Sequence, residues 1–520
     1  MIKGALFDID DTLFSHDIDR VPKATLRALD KLRAKGIKIG VCTSRIGAEL
    51  AGIPNELLER IDCKIVGTGA TTIVEGEYYK SYTIDSQKAK EYTDYFEKHD
   101  ISYHYTDING DVYYWGDLDQ VNNGNWLRYA MGNVKFKPYE DEEITNLFYY
   151  QAKEEEVPEI KRIDPDALIS EWGTFGNICA PLVDKSFGLL KFCQVFSFTT
   201  DEVVAAGDGA NDDVMLEMAG IGIAVSDAKE RTKAAADYIC KKSIEDGGLY
   251  DAFVELGLIE EDEYDMDMFV FDNDSTLYDH KCGGIHEKTY EALGKLREKG
   301  KKLVLNSSRS LEEMKNVPQR LLEMMDAIIL LNGAYVQMGG KTEVSYIPLE
   351  DAKKLIAFFE ENDVTYRYCT DDGLGYLNRI DEHAQIFKRL YDVIPAEKAY
   401  EGEEVLHFLY YATGDLREKI IALASHEENA RLNIAGEIAP SGRNKGSAMW
   451  DVAKYFGIDK EKICAFGDSG NDIRMLEMAA LGIALGNGTV ECRMAADYVT
   501  EDIVDEGVYK ALLHFGFIEE

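Results

Sequence analysis

Asp8-Ile9-Asp10-Asp11-Thr12 follows the apolar run Ile2-Lys3-Gly4-Ala5-Leu6-Phe7, and Asp272-Asn273-Asp274-Ser275-Thr276 follows Met268-Phe269-Val270-Phe271. Each apolar run reads as a short buried strand. Side chains alternate along a strand, so Asp8 and Asp10 point to one side just beyond its C-terminal end. Two carboxylates that close repel each other, and they hold a cation well or share a proton. A lone Asp-x-Asp-x-Thr reads best as an acidic turn. Two copies, each followed by the same residues in the same order, do not.

After the first copy, Val21-Pro22-Lys23 opens a stretch in which Leu26, Leu29 and Leu32 form one apolar stripe and Gly36 stops the helix. A second apolar run, Ile37-Lys38-Ile39-Gly40-Val41-Cys42, ends in Thr43-Ser44-Arg45. Strand, helix and strand at this spacing make a βαβ unit and a parallel sheet. Ligands sit at the carboxyl ends of such strands, which puts Asp8, Asp10 and Thr43 on one rim. A third strand is expected near Lys64-Ile65-Val66, before Gly67-Thr68-Gly69-Ala70.

From about Ile84 to Cys179 helical stretches such as Ser86 to His99 alternate with aromatic segments. Tyr103-His104-Tyr105 and Tyr113-Tyr114-Trp115 flank Asn109-Gly110, a hairpin turn signal. The segment reads as an inserted α+β domain. The α/β pattern resumes at Asp184-Lys185-Ser186 and reaches Val203-Val204-Ala205-Ala206, then Gly207-Asp208-Gly209-Ala210-Asn211-Asp212. A helix from Asp213 and a strand from Ile221 close the unit.

The whole pattern then recurs. Asp8 to Asp272, Thr43 to Ser307 and Gly69 to Gly333 are each 264 residues apart, and Lys185 to Lys445 and Asp208 to Asp468 each 260. The second insertion is thus four residues shorter inside a framework that keeps its register. The acidic run Glu260-Glu261-Asp262-Glu263 reads as a solvated linker between the halves. The expected domains are 1–261, with a core of 1–83 and 180–261 around an insertion at 84–179, and 262–520, with a core of 262–347 and 437–520 around an insertion at 348–436.

Length alone, 520 residues, predicts three to four domains. With 57 basic against 96 acidic residues and a net charge of −39, the chain is repelled by nucleic-acid backbones and anionic membrane surfaces. No apolar run approaches a membrane span, and strand-forming sequence at Ile2 leaves no room for a signal peptide. The nine cysteines are scattered without a Cys-x-x-Cys pair, which indicates neither a disulfide framework nor a zinc site and fits a reducing, cytoplasmic setting.

Each half brings two aspartates, a hydroxyl, a lysine and a further acidic pair to one rim. An aspartate attacks phosphorus directly to form an acyl-phosphate. Magnesium, held by few carboxylates and several waters, bridges to the phosphate. On this reading Asp8 and Asp208 hold Mg²⁺, Thr43 and Lys185 contact the equatorial phosphoryl oxygens, and Asp10 serves as general acid and then base.

These residues resemble the haloacid dehalogenase superfamily, and within it the Cof-type sugar-phosphatase-like branch, as two tandem copies across nearly the whole chain. The aspartate stretches look like its first motif, Thr43 and Ser307 its second, Lys185 and Lys445 its third. Gly207 to Asp212 and Gly467-Asp468-Ser469-Gly470-Asn471-Asp472 look like its fourth. The resemblance implies two Rossmann-like α/β cores with parallel sheets, each with an α+β cap. It implies nucleophiles Asp8 and Asp272, acid/bases Asp10 and Asp274, and metal sites of Asp8, the backbone carbonyl of Asp10 and Asp208 and of Asp272, the backbone carbonyl of Asp274 and Asp468. Asp212 and Asp472 would support the metal through water, and Asn211 and Asn471 would lie near the phosphate beside Thr43, Ser307, Lys185 and Lys445. Departures are modest: Ser44 and Ser308 stand where glycine is usual, Ser186 replaces the glycine kept at Gly446, Pro22 becomes His286, and Asp227 stands opposite Asn487.

The implied activity is magnesium-dependent hydrolysis of small phosphorylated metabolites at two sites. The alternatives are a phosphomutase of the phosphomannomutase type, or one active half with a binding or regulatory second half. Neither nucleic acid nor membrane is an expected partner, and the two halves are candidates to pack on each other. The cap aromatics, Trp126 among them, read as the packed face of a small sheet ahead of a ring-stacking surface.

Overall fold

The computed structural model describes residues 1–16, 19–117, 134–424, 427–431 and 435–520. Trp126 lies outside them. The chain forms two compact units, Met1–Glu261 and Asp262–Glu520.

In the first unit β1 (Gly4–Phe7) lies between β2 (Lys38–Cys42) and β12 (Val203–Gly207), parallel to both, with Phe7 level with Val41 and Ala206. The sheet continues through β3 (Cys63–Val66), β4 (Thr71–Val74) and β5 (Glu77–Ser81) on one side and β13 (Ile221–Ala224) and β14 (Tyr238–Ile239) on the other. Both faces are covered. Ala5, Phe7, Ile39 and Val41 pack with Leu29 and Leu32 of helix Lys23–Ala34 and with Phe253, while Leu6, Cys42 and Ile65 pack with Leu189 and Phe192 of helix Lys185–Phe196. Burial on both faces is why these strands are continuous apolar runs.

The sheet is not wholly parallel. β4 runs antiparallel to β3, because Gly67-Thr68-Gly69-Ala70 is too short to carry a crossover, and β5 turns back antiparallel to β4 across Glu75-Gly76. Gly69 sits at φ +103° with its Cα against the Asp184 carbonyl, where a Cβ would come within 2.3 Å. Gly333 repeats this at φ +95° against Asn444. These turns therefore press on the residue that begins each lysine helix.

The insertion forms a second sheet in the order β10 (Leu168–Trp172), β11 (Phe175–Cys179), β9 (Ile144–Tyr150), β6 (Ser102–Asp107), β7 (Val112–Trp115) and β8 (Val134–Phe136). In it β6 and β7 are the antiparallel hairpin expected around Asn109-Gly110. Tyr103 stacks on Trp115 at 5.4 Å and Tyr105 on Tyr113 at 5.0 Å, buried against helix Ser86–Lys98. That is the packed-face reading of the aromatics. The opposite face carries His104, Asn146 and Asn177, all buried.

The second unit repeats the plan around β15 (Met268–Phe271), between β16 (Lys302–Asn306) and β26 (Ile463–Gly467). Its cap sheet contains β20 (Thr365–Cys369), β23 (His407–Tyr411) and β25 (Ala435–Ala439). β25 crosses position 436, where the sequence set the boundary. The strand ends at Ala439, 260 residues after Cys179, so the shortening lies wholly upstream of it.

Candidate active site

The rim of the first core is built by strand ends. Asp8 extends β1, its N–H donating to the Ala206 carbonyl at 3.0 Å, and Asp208 follows β12. Lys185 opens its helix behind the Asp184 cap, whose carboxylate accepts from Phe187 N at 2.9 Å. The lysine side chain is fully buried, with Nζ 2.8 Å from Asp8 Oδ1 and 2.7 Å from Asp212 Oδ1. The other Asp212 oxygen accepts from the backbone of Asp208 at 3.2 Å and Gly209 at 2.9 Å. Lysine and loop thus fix Asp212 from both sides. Carboxylate oxygens of Asp8, Asp208 and Asp212 all lie within 4.8 Å of one another. Thr43 is buried at the end of β2, its Oγ1 accepting from Arg45 N at 3.1 Å. Asn211 is half-buried on the fourth-motif loop.

The second core reproduces this. Lys445 Nζ is 2.5 Å from Asp272 Oδ1 and 2.6 Å from Asp472 Oδ1. Asp472 Oδ2 accepts from the backbone of Asp468 and Ser469 at 3.1 Å each, and Asp272, Asp468 and Asp472 form the matching acidic group. Thr276 Oγ1 donates to Asp468 at 3.2 Å, Ser307 is buried where Thr43 stands, and Asn471 donates to Asn332 Oδ1 at 3.3 Å.

In each group three carboxylates face one ammonium, largely out of water. Burial, only partly offset by Lys185, pushes the Asp8 carboxyl well up. Burial and the neighbouring carboxylates raise Asp208 to about 6, Asp272 to about 7 and Asp468 to about 9. Burial works against the Lys185 ammonium, but Asp212 and Asp8 outweigh it and hold it charged. An all-oxygen donor set with uncompensated negative charge fits a hard divalent cation.

Asp10 and Asp274 stand outside these groups. Arg45 donates to Asp10 from Nη2 at 2.7 Å and from Nε at 3.0 Å, and His16 Nε2 lies 2.7 Å from the same carboxylate. Asp274 is held alike by Arg309 at 2.6 and 2.9 Å and by His280 at 2.7 Å. Burial alone would raise Asp10, but the His16 and Arg45 bonds prevail and bring it to about 2, while the Asp10 bond raises His16. The side chains of Asp8 and Asp10 therefore lie in two different environments. His16 and His280 are missing from the sequence reading. Their signal was present: they are 264 residues apart, in register with the motifs.

The caps bring different residues onto the two rims. In the first unit Asn146 Nδ2 donates to the Gly67 carbonyl at 3.0 Å, and Asn177 Nδ2 donates to Thr68 Oγ1 at 3.0 Å. Nearby His104 is held neutral, burial pushing it down to about 3. In the second unit the corresponding strand positions carry His407, Glu437 and Arg367. Asn332 Nδ2 donates to Glu437 at 2.6 Å, and buried Arg367 pairs with buried Glu313 and lies 3.3 Å from His407 Nδ1. Neutral amides line one rim and charged groups the other.

Both units thus place an acidic group on the rim of an α/β core that carries an inserted cap. The haloacid dehalogenase-like hydrolase family matches residues 5–253 and again 269–512, and the chain belongs to that family. It is an enzyme, a phosphatase of that family in tandem duplicate. The chain is 27% identical over 268 residues to the 5-amino-6-(5-phospho-D-ribitylamino)uracil phosphatase YitU of Bacillus subtilis, a match spanning 48% of this chain and 97% of that protein. Among solved structures, the subclass IIB sugar phosphatase BT4131 is 29% identical, with 49% of this chain and all of the other covered and a TM-score of 0.46. For BT1666 of Bacteroides thetaiotaomicron the values are 25%, 50%, 99% and 0.44. Among the described residues no helix is long and apolar enough to cross a membrane.

Proposed function

We propose that each half hydrolyses small phosphate monoesters, with Asp8 and Asp272 as nucleophiles and Mg²⁺ as the cation. The supporting observation is the twice-built bridge from a buried lysine to the first-motif aspartate and to the last aspartate of the fourth motif. Asp8, Asp208 and Asp212 would hold the cation, with Asp272, Asp468 and Asp472 in the second half. When bound, it screens the nucleophile from the phosphoryl charge. One Asp8 oxygen attacks phosphorus, the bond to the leaving oxygen breaks, and an aspartyl-phosphate remains. Lys185 and Thr43 steady the equatorial oxygens, with Lys445 and Ser307 in the second half.

Asp10, ionised in the grip of Arg45 and His16, is in the form that takes a proton from the hydrolytic water. Attack of that water releases phosphate, restores Asp8 and leaves the proton on Asp10 for the next leaving alkoxide. In a first turnover the proton arrives with a monoester near its second ionisation. Asn211 and Asn471 flank the phosphate in this reading.

YitU is named for a phosphate on a sugar-alcohol chain, which supports phosphorylated sugars and sugar alcohols as the substrate class. The unlike cap residues support two different preferences. The test is phosphate release by Asp8→Asn, Asp272→Asn and the double variant across a panel of such esters. Each single change removes part of the activity and the double change essentially all. A single change that abolishes turnover of every substrate defeats the idea of two independent sites.

A further inference from the structure

We propose that Asp279, Cys282 and His286 form a binding site for a thiophilic divalent cation such as zinc, separate from both phosphatase rims. One ligand atom from each residue lies within 4.8 Å of the others. Asp279 is buried and His286 half-buried, and His286 Nε2 already stands 3.0 Å from Asp279 Oδ2. Cys282 is exposed, and the other eight cysteines are buried. A tight loop holds the three together. Asp279 N donates to the Gly284 carbonyl at 2.8 Å, Lys281 N donates to Asp279 Oδ1 at 2.8 Å, and Gly283 takes φ +67°.

Tetrahedral zinc, with bonds of about 2.0–2.2 Å to nitrogen and oxygen and about 2.3 Å to sulfur, separates N from O by about 3.4 Å and S from either by about 3.6 Å. The His286–Asp279 pair is within a few tenths of an ångström of that spacing. The sulfur, at most 4.8 Å from the other two ligand atoms, needs to reach about 3.6 Å, a side-chain rotation that exchanges its contacts with the Asp279 and Gly284 carbonyls for the metal. Thiolate, imidazole and one carboxylate select a borderline-soft cation over magnesium or calcium, which the all-oxygen rims suit. Two negative ligands also neutralise the dication. On binding, the Cys282 thiol releases its proton to solvent and the imidazole binds as the neutral ring.

The framework does not need these residues. Counting back 264 positions, the first half carries Ser15, Ile18 and Pro22, and Ser15 still bridges to Arg20 as Asp279 does to Gly284. That bridge forms without the ligands, so the ligand set is particular to the second half. Cysteine spacing carries no sign of it because only one ligand is a cysteine. Position matters too: His280, next in sequence to Asp279, is the residue held on Asp274.

Two measurements on the reduced, full-length chain test the site. Cobalt(II) added to the chelator-treated protein is expected to give a thiolate-to-cobalt charge-transfer band at one equivalent. Cobalt at the carboxylate rims cannot produce that band, and Cys282→Ser is expected to remove it. Independently, Cys282 is expected to be the one thiol alkylated rapidly in the native chain, with zinc but not magnesium slowing it at least tenfold. His286→Ala is expected to leave the rapid alkylation and abolish the zinc protection. Absence of the charge-transfer band at excess cobalt overturns the proposal. So does alkylation equally fast at saturating zinc, or protection undiminished in His286→Ala.

Discussion

Replacing Lys185 by methionine keeps the length of the side chain and removes its charge between Asp8 and Asp212, 2.8 and 2.7 Å away. Removing one partner of a buried ion pair costs about 3–5 kcal/mol, because the remaining charge is left desolvated and unpaired. A proton is the alternative. Asp8, already raised by burial, would rise further once the lysine charge that lowers it is gone. A raised carboxyl stabilises the fold below its unfolded-state value and loses that contribution as pH climbs through the folded value. The loss in Lys185→Met is therefore expected to be about 3–5 kcal/mol at pH 8 without divalent cations, and clearly smaller at pH 5. Urea unfolding of the full chain, read by hydrogen exchange and mass spectrometry in peptides from residues 1–261, measures it, and peptides from 262–520 serve as the control. Phosphate release by the first half is expected to fall by about 10²–10³, the effect of removing one donor to transition-state charge. A loss under about 1 kcal/mol at pH 8, or an equal loss at pH 5, refutes the view that this lysine is the counter-charge of the rim.

Phosphatase activity is expected to vanish in excess EDTA, return with Mg²⁺ and be inhibited by Ca²⁺, whose looser shell misplaces nucleophile and phosphate; full activity in EDTA contradicts this. Glu49, raised by burial to about 7 from its usual 4.5, loses its stabilising contribution as pH rises between those values. The stability of Glu49→Gln relative to the parent is thus expected to improve by up to about 3 kcal/mol from pH 4.5 to 8, and a pH-independent difference in urea unfolding would contradict it. Exchanging residues 84–179 with 348–439 is expected to carry each half's substrate preference with its cap, and preferences that stay with the cores would reject cap-borne selectivity.

The two α/β cores, the inserted caps and the duplication are legible in the chain itself. Apolar runs, helical stripes and turn residues are local patterns, and a constant 264-residue register repeats them. The register even carries the histidine pair, although an isolated histidine six residues past an aspartate says nothing of what it touches. Folding decided which charges meet. Lys185 reaches Asp8 across 177 positions and Asp212 across 27, and Arg45 turns Asp10 away from the acidic group that Asp8 joins. Folding likewise set Asn146 and Asn177 over one rim and Glu437 over the other, and drew Cys282 to Asp279 and His286. Periodicity is a property of neighbours along a strand or helix, and residues spaced by two or three to four positions suffice to read it. A site is a convergence of side chains from separate elements. Its distances depend on loop paths and on the packing of sheet and helix, which no spacing along the chain encodes.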